Sequence, residues 1–179
     1  MLAKLKMSYL ILPLVMSFAA SASDFSPYVD ADGNISLPDH FRTQMAHIGS
    51  WFVPDGDVSG FHDVFTEKES LEAYRKTDDF PDGATLVKEV RAHRSGNFTT
   101  GANVSYSDNT KLWFVMVRDT ENRFPHNKVW AEGWGWALIN TDDPNKNVAT
   151  DFANDCKACH LPAQKSNWVF VEGYPTSHE

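Results

Sequence analysis

Close to the C-terminus the chain reads Cys156-Lys157-Ala158-Cys159-His160, a C-x-x-C-H run. Two thiols three positions apart on a helical turn can each add to one vinyl group of a haem. The adjacent imidazole can then ligate the iron. Other uses of the pair explain less. Zinc needs further Cys or paired His ligands, and the chain has only 2 Cys. A thioredoxin-type pair opens a helix inside a βαβ unit, and no such pattern surrounds these residues. A disulfide between residues so close leaves His160 without a role. The expectation is one haem c, covalently held by Cys156 and Cys159, with His160 as the metal ligand.

The other axial position has no obvious occupant. Electron carriers close the iron with Met or a second His. The segment after residue 22 offers Met45 and Met116, with His40, His47, His62, His93, His126 and His178. No Met follows the haem motif. Met116 falls on an apolar strand and reads as core. An open distal site is therefore expected. His62, between Phe61 and Asp63 and just ahead of Val64, is the best polar candidate beside it, since an imidazole can donate or accept near neutral pH. Glu132 is a weaker one.

Lys88 is the other unusual residue. On a strand, alternate side chains share a face. Leu86, Lys88 and Val90 then lie together, with Val87, Glu89 and Arg91 opposite. A lysine between aliphatic residues reads either as a snorkelling or edge-protecting side chain or as a group facing a ligand.

Strands dominate the elements that must position these residues. Thr85 to His93 and Lys111 to Arg118 are expected as strands, the second a central one. Ala102 to Tyr106 is a weaker strand before a Ser107-Asp108-Asn109 turn, and Trp134 to Asn140 is introduced by a Gly-Trp-Gly-Trp run. A helix is expected from Ser36-Leu37-Pro38 to about Ile48. A second should run from a Thr66–Glu69 capping box to about Lys76, and a third from Thr150 to His160. Asn167 to Tyr174 reads as extended. Short helices flanking an antiparallel sheet give an α+β domain. A haem motif near the C-terminus, behind a strand-rich segment, is unlike that of the common helical electron carriers.

Lys4 and Lys6 precede an apolar stretch from Met7 to Ala20, followed by Ala20-Ser21-Ala22. This is the pattern of a secretory signal peptide over residues 1–22, leaving a single domain over 23–179. The apolar core is shorter than the ~20 residues that span a bilayer. A soluble periplasmic product is expected, the compartment in which haem c is attached. Lys plus Arg number 16 against 24 Asp plus Glu, a formal charge of −8. That balance argues against nucleic acid and anionic lipid as partners.

The chain resembles the periplasmic cytochrome P-460 family, which includes the beta-type cytochromes c-prime. The resemblance runs from about Ile35 to Pro175. It rests on Leu37-Pro38, Phe41-Arg42, His62-Asp63-Val64-Phe65, Tyr74-Arg75-Lys76-Thr77 and Phe80 through Glu89. It continues through Met116-Val117-Arg118-Asp119, Arg123-Phe124, Gly133 to Trp136, the haem motif, Trp168-Val169-Phe170 and Gly173-Tyr174-Pro175. It implies a mostly antiparallel sheet, a homodimer and a five-coordinate haem c with His proximal. In hydroxylamine-oxidising members a lysine is bonded to the haem macrocycle, and the matching residue is Lys88. The resemblance also implies a distal glutamate on the strand matching Lys111 to Val117, where this chain has Phe114. A phenyl group cannot take a proton, and it is similar to the apolar cap of the nitric-oxide-binding beta-type cytochromes c-prime. Two functions follow as expectations. One is oxidation of hydroxylamine or a related nitrogen species, with electrons passed to a periplasmic acceptor. The other is binding of nitric oxide without turnover.

Overall fold

The computed structural model describes residues 25–178; the expected signal peptide lies outside the described residues. Its centre is one antiparallel sheet of six strands: β1 (Ala46–Val53), β2 (Gly60–Thr66), β3 (Thr85–Phe98), β4 (Gly101–Arg118), β5 (Trp130–Ala131) and β6 (Trp134–Asn140). The spatial order is β1-β2-β3-β4-β6-β5. Helix α1 (Phe41–Gln44) precedes β1, α2 (Lys68–Thr77) joins β2 to β3, and the single turns α3 (Phe152–Asp155) and α4 (Lys157–His160) follow β6. The α+β expectation holds.

The period of two along β3 divides the core into two layers. Leu86 joins Val64, Met116 and Trp136 on one face, which the C-terminal Phe152, Trp168, Val169 and Tyr174 cover. Val87 joins Val115, Val117 and Ile139 on the other, covered by the N-terminal Val29, Ile35, Phe41 and Met45. The two chain ends therefore protect opposite faces of one sheet. This suits strands buried on both sides, which read as near-continuous apolar runs. No helix among the described residues is long and apolar enough to cross a membrane.

Several local expectations change. The helix expected up to Ile48 is only the single turn α1; from Ala46 the chain pairs with β2, so ladder hydrogen bonds replace helical ones. Helix α2 forms with Leu71 and Tyr74 buried, but without a capping box. Thr66 is the last residue of β2, and the Glu67 carboxylate instead accepts from the Thr85 backbone N–H at 2.9 Å. Ser107-Asp108-Asn109 is not a turn. The two strands expected there are one continuous β4, with register shifts between Val90 and His93 of β3 absorbing the irregularity. Arg94 pairs with Asp108 across those strands. The helix expected over Thr150–His160 breaks at Cys156, whose φ of −126° leaves helical geometry. The segment expected to be extended after Asn167 has no strand to pair with and folds into 3₁₀ turns at Val171–Gly173 and Pro175–His178.

Candidate functional site

Register brings the candidate residues together. Lys88 of β3 stands opposite Val64 of β2 and Phe114 of β4, so the three form one rung on the C-terminal face. One rung along, His62 stands opposite Val90 and Trp51. The C-x-x-C-H segment lies across these rungs. A cavity of about 360 Å³ is lined by Trp51, His62, Lys88, Cys159 and His160. A neighbouring one of about 280 Å³ is lined by Lys88, Phe114, Met116, Cys156, Cys159 and His160. Both share Lys88 and His160, so they are two lobes of one cleft between sheet and motif. Glu132 lines a separate cavity with Asp119 and Trp130 and takes no part.

His160 is held in one tautomer. Its Nδ1 lies 2.8 Å from the Trp168 carbonyl oxygen, which can only accept, so the proton sits on Nδ1. The Nε2 lone pair is then available to a metal. Burial first, and then the nearby Lys88 ammonium, lower the pKa of this imidazole, which keeps it neutral. Cys156 and Cys159 are not joined to each other. Burial, reinforced by Asp155, pushes the Cys156 thiol up to about 12. That is a neutral thiol and not a reactive thiolate.

Lys88 has no carboxylate partner among the described residues; its Nζ lies 4.3 Å from the centroid of the Phe114 ring. Burial pushes its pKa down to about 8, with only Cys159 opposing. His62 is 3% exposed. Its Nε2 donates to the Val58 carbonyl at 2.6 Å, which leaves Nδ1 as the acceptor nitrogen. That Nδ1 is buried and has no partner. Burial also lowers the His62 pKa, against the Val58 bond. A buried acceptor left unpaired in a cavity wall is an uncommon feature that calls for a ligand.

The cleft also contains residues that spacing did not single out. Trp51, on β1, packs 5.6 Å from His62 and 6.2 Å from Tyr174. Phe170 lies 5.4 Å from the His160 ring. Both reach the site through long-range packing, and the only local signal was their aromatic character.

An apolar cleft, paired thiols and a neutral histidine with Nε2 free fit a haem group, and this donor set suits a c-type cytochrome. The cytochrome P460 family model matches residues 38–171, most of the chain. The chain belongs to that family. A search of curated proteins finds no significant match.

Proposed function

We propose that the protein is a periplasmic cytochrome with a single haem c that oxidises hydroxylamine or a related small nitrogen species at an open axial position. The observation that carries this reading is convergence: His62, Lys88 and His160, distant in sequence, line one cavity. When bound, the haem supplies a Lewis-acidic iron and a one-electron acceptor. In this reading Cys156 and Cys159 would hold the haem and His160 Nε2 would ligate its iron. His62 Nδ1 takes the N–H or O–H proton of the substrate, and its lowered pKa keeps it unprotonated near neutrality. Lys88 would face the macrocycle edge and be the residue bonded to it, as the family resemblance implies; an amine so joined would no longer carry a charge that is costly to bury. The Phe114 ring keeps water off the rung it shares with Lys88. Among the described residues, Met116 is the one remaining histidine or methionine that also lines the cleft, and it is packed in the core. The signal peptide over residues 1–22 would deliver the chain to the periplasm, where electrons leave to a separate acceptor. We take the working unit to be a homodimer.

One observation favours a second reading. Phe114 is an apolar neighbour for a bound diatomic, as expected of a nitric oxide cytochrome. Purified holoprotein given hydroxylamine and an artificial electron acceptor decides between them. Sustained acceptor reduction supports the enzyme, whereas nitric oxide binding without reduction supports the second reading. A low-spin spectrum with Met or a second His on the iron overturns both.

A further inference from the structure

The Gly133-Trp134-Gly135-Trp136 run and the loop at Asn167-Trp168 have no part in the reaction above. We propose that together they form a cradle that fixes the orientation of His160 and sets the donor strength of its Nε2. The inference rests on His160 being the axial ligand.

Asn167 and Trp168 are both left-handed, with φ of 58° and 67°. Asparagine tolerates this region, but a residue as bulky as tryptophan rarely enters it. Two in succession persist only where the surroundings over-determine them. The Trp168 ring is buried edge-on against Phe152, with centroids 5.3 Å apart, and its backbone N–H donates to the Ala163 carbonyl at 2.8 Å. Trp134 Nε1 donates to the Asn167 carbonyl at 2.9 Å. The Asn167 side-chain amide donates to Asp79 at 2.8 Å, and Asp79 in turn accepts from Arg118 at 3.2 Å. Held in this way, the loop aims one group inward, the Trp168 carbonyl that receives the His160 proton.

Trp136 completes the cradle. It points to the same face as Trp134 and packs at 75° to the His160 ring, with centroids 4.7 Å apart. The two glycines make room for bulky neighbours. A Cβ at Gly133 would meet an Arg118 guanidinium nitrogen at 2.4 Å, and one at Gly135 would meet the Trp130 ring at 2.6 Å. The alternation therefore presents two indoles to the histidine side, with Gly135 leaving a gap for Trp130 on the other, while Gly133 leaves room for Arg118, whose guanidinium carbon lies 5.4 Å from the Trp134 ring centroid.

A firm N–H···O=C bond gives the imidazole partial imidazolate character and raises the basicity of Nε2. A stronger donor favours ferric over ferrous iron and lowers the reduction potential. Trp134, Trp136 and Asn167 are thus positioning residues that act through His160.

The test compares the reduction potential and the ferrous iron–histidine stretching vibration of the holoprotein with those of two variants. Trp134→Phe keeps an aromatic ring, though a smaller one, and removes the N–H that holds the loop. Trp130→Phe removes a similar indole hydrogen bond, 2.8 Å to the Gly33 carbonyl, from the opposite layer. Trp134→Phe is expected to raise the potential by up to tenfold in the ferric-to-ferrous ratio, ~59 mV for one electron. It should also lower the vibrational frequency, while Trp130→Phe moves neither. Equal shifts in both variants, or none in either, overturn the proposal. If Trp134→Phe does not load haem, Asn167→Gly serves instead. It keeps the left-handed turn and loses only the tie to Asp79, so a smaller shift of the same sign is expected and no shift overturns the cradle. A band that is present but unmoved defeats the cradle alone. A band missing from the unsubstituted ferrous protein, which shows that the iron is not five-coordinate with His160, defeats the open-site reading beneath it.

Discussion

Lys88 and Glu89 are neighbours on β3, the first half-buried and the second fully buried, and they face opposite ways. Glu89 is 1% exposed and fully served. Arg42 Nε donates to its carboxylate at 2.8 Å, a second guanidinium nitrogen, Nη2, pairs with it, and the Thr110 hydroxyl donates as well. Burial pushes the Glu89 pKa up, but these donors more than offset it and leave it lowered. Lys88 has an aromatic ring and a cavity. On the N-terminal face Glu89 is closed by its own polar bonds; on the C-terminal face Lys88 and His62 Nδ1 are left without them. A buried charge that lacks a partner is costly, so the second arrangement makes sense only when another group completes it.

The largest effect expected from this contrast is on stability. Arg42→Met strands a buried carboxylate and should cost about 3 kcal/mol in urea unfolding of the holoprotein. Lys88→Met replaces an unpartnered amine and should change stability by less than about 1 kcal/mol. Comparable losses in both variants would break the comparison. Next comes turnover. His62→Phe should reduce hydroxylamine oxidation by about 100-fold, the range for loss of a general base, with haem content unchanged.

Two pH effects are smaller. Glu89, with its folded pKa lowered, stabilises the protein above its usual value of 4.5 and loses that contribution as pH falls through the folded value. Arg42→Met should flatten this acid limb of an unfolding–pH profile. A free Lys88 amine held down to about 8, against 10.5 unfolded, would make stability rise between those values as the unfolded chain binds more protons. If Lys88 is bonded to the macrocycle, the holoprotein shows no such rise. The smallest effect is at the start of the haem segment. Asp151 caps α3 by accepting from the Ala153 N–H at 2.8 Å, so Asp151→Ala should cost about 1 kcal/mol.

Residues that bear chemistry within a few positions of one another were legible in the sequence. The C-x-x-C-H spacing and the alternation around Lys88 are local patterns. The structure keeps Leu86 and Lys88 on one face and Val87 and Glu89 on the other. Strand β6 was legible for the same reason, as a short apolar run introduced by Gly-Trp-Gly-Trp. What local pattern could not show was where the chain ends go. The C-terminal stretch from Asn167 looked extended because its residues suit strands, but the sheet offers it no edge. Packing of Trp168, Val169 and Tyr174 on the sheet face decides its path instead. Asn167 was the one local hint, being among the residues that tolerate left-handed backbone. Trp51 joins the cleft only because β1 pairs with β2, which depended on recognising β1 as a strand.

The claim that the C-terminal face is completed by a bonded cofactor is tested most directly by tryptic mapping of the purified holoprotein. A free Lys88 allows cleavage after it and releases Thr77–Lys88 as an unmodified peptide. A bonded Lys88 blocks that cut and keeps the surrounding segment attached, through the haem, to the peptides that carry Cys156 and Cys159. The expected result is one haem-bearing fragment joining both segments, with no free Thr77–Lys88. Recovery of unmodified Thr77–Lys88 in amounts equal to the protein would contradict the account.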